Sequence, residues 1–140
     1  MPLFKKLASL IAGHFNWEEW ERYVRSYGYT LDRPYRSIHP QHAEMIYPID
    51  YGYINGTMSS DNEGIDIFVG SIRNGLVALA LTSDLRKDDR EYKLIYDASP
   101  EEIYLIHGFL NFDRSLMRSR LVMRYPMHRL WDELPAPTVG

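Results

Sequence analysis

Alternation of apolar and polar positions in the middle of the chain predicts two β-strands. The first runs through residues 47–53, and in an extended conformation its apolar side chains share one face. These side chains are Tyr47, Ile49, Tyr51 and Tyr53. The second strand covers residues 65–69, where Asp66 faces away from three apolar side chains. The residues between them are those of turns, so the pattern predicts a loop over residues 55–64.

Three further strands are predicted from short apolar runs at residues 29–32, 76–81 and 92–96. Asn74-Gly75 stands directly before the second run and is a strong hairpin signal, so this run is expected to fold back on the strand before it. The charged segment at residues 83–93 predicts a solvated hairpin loop between the second and third runs.

Two segments show the helical period. Residues 17–26 follow Asn16, a good N-cap, and carry an aromatic stripe that is typical of packing rather than of ligand binding. A second helix is predicted after Ser99, with Pro100 at its first position and an apolar stripe that ends at Leu110. Helices and strands together predict a mixed fold.

Composition and charge are those of a globular domain without thiol chemistry. The 140 residues are 45% hydrophobic and 25% charged, which is enough for a core. The absence of cysteine excludes disulfides and thiolate sites. The net charge of −3 argues against nucleic acid, and no run approaches the roughly twenty apolar residues of a membrane span. We expect a cytoplasmic protein whose residues 1–13 form an amphipathic helix rather than a signal peptide.

Three carboxylates, Asp61, Glu63 and Asp66, lie within six residues at the end of the predicted central loop. Such a group repels itself unless solvent or a cation neutralises it. Oxygen-only ligands favour a hard ion such as Mg²⁺, Mn²⁺ or Ca²⁺, and the spacing is not that of an EF-hand. From composition alone, a solvated acidic turn is the simpler interpretation.

The segment YPIDYGYINGTMSSDNEGID, residues 47–66, resembles the signature of the soluble Mg²⁺-dependent inorganic pyrophosphatases. That signature reads Tyr-Pro-x-Asn-Tyr-Gly-Phe/Tyr-Ile, a short turn, and then Asp-Gly-Asp-Pro-Leu/Val-Asp. Among the departures of this chain from that signature, Asp50, Glu63 and Gly64 stand for Asn, Asp and Pro. Glu63 keeps the charge but carries it one methylene further from the backbone.

The resemblance implies an α+β fold built on a small closed β-barrel of about five strands, similar to an OB-fold and flanked by helices. The pyrophosphatase-like core would span residues 29–112. Residues 1–28 would form an N-terminal helical extension, and residues 113–140 a basic, amphipathic C-terminal segment and tail. Family members often form homo-oligomers, and both terminal segments are candidates for such contacts.

The resemblance also implies a metal site and a phosphate site. The implied metal ligands are all acids: Asp32, Asp61, Glu63, Asp66, Asp84, Asp89 and Glu91, with Asp88 as a third option in the loop that holds Asp84 and Asp89. The implied substrate ligands are Arg33, Arg36, His39, Tyr51 and Lys93. Arginine suits bidentate contacts to phosphate. Glu63, Asp66, Tyr51 and Lys93 would act in catalysis, and whether Glu63 or Asp50 helps remove the proton of water is open.

The expected reaction is hydrolysis of inorganic pyrophosphate to two phosphates by a water that bound Mg²⁺ activates, with Mn²⁺ as an alternative ion. Two other functions stay open. The Tyr-Lys pair with which the larger enzymes hold a phosphate is replaced by Phe112-Asp113-Arg114, which favours a non-catalytic module that binds a metal-phosphate ligand or a partner. A more open site would also admit another diphosphate, such as a nucleotide.

Overall fold

The structure, a computed structural model, describes residues 15–58, 64–85 and 89–127, and of Asp89 the backbone alone. These residues form a mixed α+β fold, as predicted, with two helices, a six-stranded and mostly antiparallel sheet, and a separate two-stranded hairpin. No helix in this part of the chain has both the length and the apolar composition needed to cross a membrane.

Ten elements follow one another along the chain. They are α1 (Trp17–Tyr27), β1 (Tyr29–Arg33), β2 (Ile38–His39), β3 (His42–Ile46), β4 (Asp50–Ile54), β5 (Asp66–Val69), β6 (Leu76–Asp84), β7 (Asp89–Tyr96), α2 (Pro100–Leu110) and β8 (Met117–Met123). Both predicted helix starts are confirmed, because the Asn16 side chain accepts from the backbone of Glu19 and Ser99 forms a capping box with Glu102.

The predicted closed barrel is not what the described residues form. The strand order is β1-β4-β5-β7-β6-β8, which leaves β1 and β8 at opposite edges of the sheet. Closing a barrel requires hydrogen bonds between the two edge strands. Within residues 15–58, 64–85 and 89–127 no such pairing joins β1 to β8. The architecture is therefore an open sheet.

The hairpin predicted at Asn74-Gly75 is wrong. β7 lies between β5 and β6 and pairs with β5 in parallel, so β6 does not fold back on β5. The Asp97 carboxylate accepts from the backbone N–H groups of Asn74 and Gly75, and the Asn74 side chain donates to the Ala98 carbonyl. Gly75 has the positive φ of 75° that the dipeptide suggested, but its turn is held by the connection between β7 and α2.

Both faces of the sheet are covered, each by one helix. On one face Trp20 and Val24 of α1 pack over a core cluster that includes Ile67 and Leu94. On the other face Ile103 of α2 belongs to a cluster that also contains Tyr51 and Phe68. Double coverage explains why the apolar run of β6 is nearly continuous rather than alternating.

The arginine-rich segment after α2 contributes the edge strand β8, which pairs antiparallel with β6. Met117, Leu121 and Met123 pack against the α2 side of the core, while Arg118 and Arg120 are exposed. Arg124 closes the segment by donating to the Glu21 carboxylate of α1 at 2.8 Å and to the Leu76 carbonyl at 3.0 Å. The β8 part of this segment therefore packs on the core as a strand.

Gly52 marks the closest approach of β4 to the edge strand β1. A Cβ atom at Gly52 would lie 1.9 Å from the Thr30 carbonyl oxygen and 2.8 Å from the Leu31 Cα. We expect Gly52→Ala to lower the free energy of unfolding, because the added Cβ would overlap the backbone of β1. The loss should be about 1–3 kcal/mol, since the edge strand can move outward and relieve part of the overlap. Urea denaturation followed by far-ultraviolet circular dichroism would measure the loss.

Gly108→Ala is the matched control for that change. Gly108 lies on the exposed side of α2, where an added Cβ would meet no atom within 4 Å. Alanine there should raise stability by about 0.4–1 kcal/mol through reduced freedom of the unfolded chain. A Gly52→Ala protein as stable as the wild type would contradict the close approach of β1 to β4.

Candidate functional site

A pocket of about 620 Å³ opens on the α2 side of the sheet. Its charged wall comes from four strands of the sheet, and its aromatic and apolar wall comes from the β2–β3 hairpin, the end of α2 and the start of β8. The charged lining residues are Asp32, Arg33, Asp66, Asp84, Glu91 and Lys93.

Eight of the residues that the sequence singled out line this pocket. They are Asp32, Arg33, His39, Tyr51, Asp66, Asp84, Glu91 and Lys93. Asp61, Glu63 and the alternative Asp88 lie outside the described residues, as does the side chain of Asp89. The chain therefore brings to one place residues that are up to 61 positions apart, from Asp32 to Lys93.

Arg36 is not brought to the pocket wall. Its guanidinium lies 5.2 Å from the centre of the Tyr35 ring, and its side chain is exposed. The backbone turns there, because Arg36 has a positive φ of 72° and its N–H donates to the Tyr47 carbonyl. The Arg36 side chain thus does not line the pocket, and nothing in the sequence indicated the left-handed backbone conformation at this residue.

A β-bulge accounts for the presence of both Asp32 and Arg33 in the pocket. Successive residues of a regular strand face opposite sides of a sheet. In the pairing of β1 with β4, however, Leu31 is opposite Gly52 and Arg33 is opposite Tyr51, so Asp32 is the extra residue. Bulges of this kind re-aim side chains and are common beside functional sites.

Lys93 lies at the centre of the charged wall, where it contacts three other side chains. Its side chain is 7% exposed. Its ammonium donates to the Tyr51 hydroxyl at 3.0 Å, to Asp66 Oδ2 at 2.5 Å and to Glu91 Oε2 at 3.2 Å. These three acceptors match the three protons of a lysine ammonium. Lys93 is therefore paired and neutralised on the protein itself.

The protonation states of this group follow from its surroundings. Burial works to lower the pKa of Lys93, but the facing oxygens of Tyr51, Asp66 and Glu91 outweigh it and raise that pKa well above its usual range. Burial also raises the pKa of the Tyr51 hydroxyl, and the charge of Asp66 adds to the rise, while Lys93 opposes it. At neutral pH the pair is an ammonium beside a neutral phenol, so Lys93 can act as a charge but not as a base.

Arg33 is held against two aromatic rings. Its guanidinium donates to the Tyr47 hydroxyl at 2.5 Å, and its central carbon lies 5.7 Å from the Tyr47 ring centre and 5.8 Å from that of Tyr51. These distances are within the range of cation–π attraction. The arrangement fixes a permanent cation on the pocket wall, next to the Tyr51–Lys93 contact.

His39 stacks on Tyr47, with ring centres 6.0 Å apart and planes within 4° of parallel. Its Nδ1 accepts from the backbone N–H of Gln41 at 3.1 Å. In this geometry Nδ1 is used as an acceptor, so Nε2 is the ring nitrogen that would donate to an anion in the pocket.

Hydrogen bonds hold the two ends of the central loop, residues 55–64, at the edge of the pocket. The Thr57 hydroxyl donates to the Ile54 carbonyl at 2.5 Å and accepts from the Ile65 N–H at 2.9 Å. Gly64 lines the pocket, and it follows Glu63 directly in the sequence. The two ends of the loop are thus anchored beside Asp66.

The sequence did not single out several lining residues. Tyr47 belonged to the recognised signature but received no role, although its hydroxyl holds Arg33. Thr82 is a buried polar side chain at the end of an apolar run, which is a signal that could have been noticed. Met45, Phe109 and Met117 come from elements whose meeting depends on the tertiary fold, and nothing local marks them.

The donor set of the pocket suits a hard cation in its chemistry, since its acidic oxygens come without thiolates. Asp32, Asp66, Asp84 and Glu91 are the described members. In the described ranges no three such side chains lie close enough together to form a metal site by themselves. The two remaining acids of the signature, Asp61 and Glu63, lie outside those ranges.

Comparisons with known proteins give little beyond this geometry. No family model matches the chain. No curated protein matches it either. Among solved structures, it is similar to an inorganic phosphatase from Anaplasma phagocytophilum, with 15% sequence identity and a TM-score of 0.42, over 68% of this chain and 78% of that one. A likeness of this size carries no conclusion, so the function has to be argued from the residues of the pocket.

The raised pKa of Tyr51 has a consequence for stability at high pH. In the unfolded chain a tyrosine releases its proton near pH 10, whereas in the folded chain Tyr51 keeps it to higher pH. Above about pH 10 the unfolded state therefore binds fewer protons, and the free energy of unfolding falls as pH rises. Lys93, whose pKa is also raised, contributes in the same direction.

Tyr51→Phe should remove the tyrosine part of this dependence. We expect the slope of unfolding free energy against pH above about pH 10 to become shallower by up to about 1.4 kcal/mol per pH unit, the value for one proton. Urea denaturation of both proteins at several values between pH 8 and 11 measures the two slopes. Equal slopes would contradict the assignment of a buried, proton-retaining phenol at residue 51.

Proposed function

We propose that the protein hydrolyses inorganic pyrophosphate in a metal-dependent reaction. The observation that carries the proposal is the convergence, in one pocket, of acids from four strands with one buried and one half-buried cation. The acids are Asp32 of β1, Asp66 of β5, Asp84 of β6 and Glu91 of β7. The cations are Arg33 and Lys93. Acids that hold cations, next to donors that hold phosphate, are the parts that phosphoryl transfer requires.

Asp66 and Glu91 would hold a Mg²⁺ ion together with Asp61 and Glu63. Asp84 would help to hold a further ion in the same pocket, and Asp32 would make a contact through water. Such an ion lowers the pKa of a bound water and neutralises charge on the phosphate oxygens. The binding of a cation by Asp66 and Glu91 would also draw these carboxylates away from Lys93, because an ammonium and a metal ion compete for the same oxygens.

Lys93 and Arg33 would then bind and orient the substrate. With its carboxylate contacts weakened, the Lys93 ammonium could donate to a phosphate oxygen while Tyr51 keeps it in place. Arg33 has five N–H donors, and one contact to Tyr47 leaves a face that fits two phosphate oxygens. Lys93 is buried and Arg33 is half-buried, so both would stabilise charge that develops on the leaving phosphate more strongly than an exposed cation would.

One observation favours a second candidate function. In the described structure Lys93 is fully paired with Tyr51, Asp66 and Glu91, which is a stable arrangement without any ligand. A non-catalytic module that binds a metal-phosphate ligand or a partner would need no more than this. The replacement of the Tyr-Lys pair by Phe112-Asp113-Arg114 supports the same alternative.

The test is phosphate release from pyrophosphate by purified protein that has been stripped of metal with a chelator. We expect no turnover without metal, turnover when Mg²⁺ is restored, and a different rate with Mn²⁺. Turnover that persists in the chelator would contradict metal dependence. No turnover with either ion, combined with calorimetric binding of pyrophosphate in Mg²⁺, would support the non-catalytic module instead.

A further inference from the structure

The pocket has an apolar side that inorganic pyrophosphate cannot use. The β2–β3 hairpin, the end of α2 and the start of β8 supply it, through Met45, Phe109, Leu110 and Met117. Pyrophosphate has no carbon and no apolar surface, so it gains nothing from these side chains. Binding sites for organic ligands, by contrast, combine apolar walls with a few well-placed polar groups.

The size of the pocket and the extent of its apolar side also favour an organic ligand. At about 30 Å³ per molecule, a volume of 620 Å³ would hold roughly twenty waters, which is far more room than one small anion needs. A smaller cleft of about 40 Å³ shares His39, Met45, Leu110 and Met117 with the pocket and adds Leu116, His42 and Asp113. The apolar side chains of the pocket thus continue into this cleft, beside two histidines and one acid.

Tyr47 joins the charged side to the apolar side. Its hydroxyl accepts from Arg33, and its ring centre lies 5.0 Å from that of Tyr51. On the other side the same ring lies 4.7 Å from Phe109. The rings of Tyr51, Tyr47 and Phe109 thus form one contiguous aromatic cluster between the charged side and the apolar side of the pocket.

We infer that this site takes a diphosphate monoester whose organic group has an aromatic or alkyl face. The diphosphate would lie against Arg33 and Lys93, and the organic group against Met45 and Phe109. The inference rests on the proposed function, because it uses the same anion site. In the corresponding reaction, water attacks the terminal phosphorus and the P–O–P bond breaks, which yields orthophosphate and the organic monophosphate.

Binding of non-hydrolysable analogues tests the inference separately from turnover. Isothermal titration calorimetry in Mg²⁺ would compare methylenediphosphonate with its adenosine ester and its geranyl ester. We expect at least one ester to bind about tenfold or more tightly than the bare anion, as a filled apolar subsite typically gives. The two esters distinguish a flat aromatic group from an alkyl chain as the preferred ligand.

Met45→Ala is the decisive variant, and Ile46→Ala is its matched control. Met45 lines the pocket, whereas the next residue of β3, Ile46, is 55% exposed and does not. Met45→Ala should reduce the advantage of the ester by about tenfold and leave the bare anion unaffected. Ile46→Ala should change neither affinity.

The outcomes separate the inference from the proposed function. Equal affinities for ester and bare anion in the wild type, an ester advantage that survives Met45→Ala, or no binding of any analogue would overturn the inference. If pyrophosphate is turned over while ester and anion bind equally, only the inference fails. If nothing is turned over while the ester advantage appears and depends on Met45, the inference stands and the proposed hydrolysis fails.

Discussion

Asp66→Asn is expected to reduce pyrophosphate turnover by at least about a hundredfold while the protein stays folded. The change removes the charge that would hold a cation but keeps an oxygen that can accept from Lys93. Even the outer-shell partners of a bound metal typically contribute roughly 10- to 100-fold to activity or affinity, so the loss of a ligand should cost no less. Phosphate release at saturating Mg²⁺ would measure the effect.

A matched control separates the loss of this carboxylate from the loss of any carboxylate. Asp113→Asn makes the same chemical change at an exposed residue that does not line the 620 Å³ pocket. The Asp113 carboxylate accepts local hydrogen bonds from the backbone N–H and the hydroxyl of Ser115. It should turn over pyrophosphate at the wild-type rate. Both variants should keep the wild-type circular dichroism spectrum. Full activity of Asp66→Asn would show that the reaction centre lies elsewhere.

Local patterns predicted the elements better than their arrangement. The Asn16 and Ser99 caps act within one helical turn, so the sequence beside them is sufficient to place α1 and α2. Asn74-Gly75 supplies a positive φ but does not determine which strand pairs with the next one. The strand pairing also involves Asp97, which is more than twenty residues away. Its carboxylate holds the Asn74-Gly75 turn against the connection between β7 and α2.

The orientation of Asp66 could be predicted for a similarly local reason. Alternation placed Asp66 opposite the apolar side chains of its strand, and in the structure those side chains pack against α1 while Asp66 faces the pocket. Barrel closure, in contrast, concerns two strands at the far ends of the sheet. No pattern within either strand indicates whether they meet.

Positions governed by strand register could not be read from the sequence. Asp32 reaches the pocket through a bulge, and a bulge is a property of the pairing between β1 and β4. Arg36 does not line the pocket, and its backbone has a positive φ, which is uncommon at a non-glycine residue and carries no clear local signal. The apolar side of the pocket likewise joins Met45 to Phe109, from elements 64 positions apart.

Lys93→Met is expected to lower the free energy of unfolding by about 3 kcal/mol. Removing one partner of a buried ion pair typically costs roughly 3–5 kcal/mol, because the opposite charge is left without compensation. Asp66 and Glu91 are each 24% exposed, so water can reach them in part and the low end of that range applies. Urea denaturation at neutral pH, with circular dichroism as the signal, would measure the difference.

The source of that loss can be isolated by removing the charges that Lys93 compensates. The double variant Lys93→Met/Asp66→Asn also removes one of the two carboxylates that Lys93 contacts, so less uncompensated negative charge remains. It should therefore be more stable than Lys93→Met alone, although it carries one more substitution. Arg120→Met removes an exposed cation of β8 and should change stability by less than about 0.5 kcal/mol. A Lys93→Met protein that matches Arg120→Met would mean that the two ion pairs of Lys93 carry little energetic weight. Metal binding at Asp66 would then not have to displace a strong contact to Lys93.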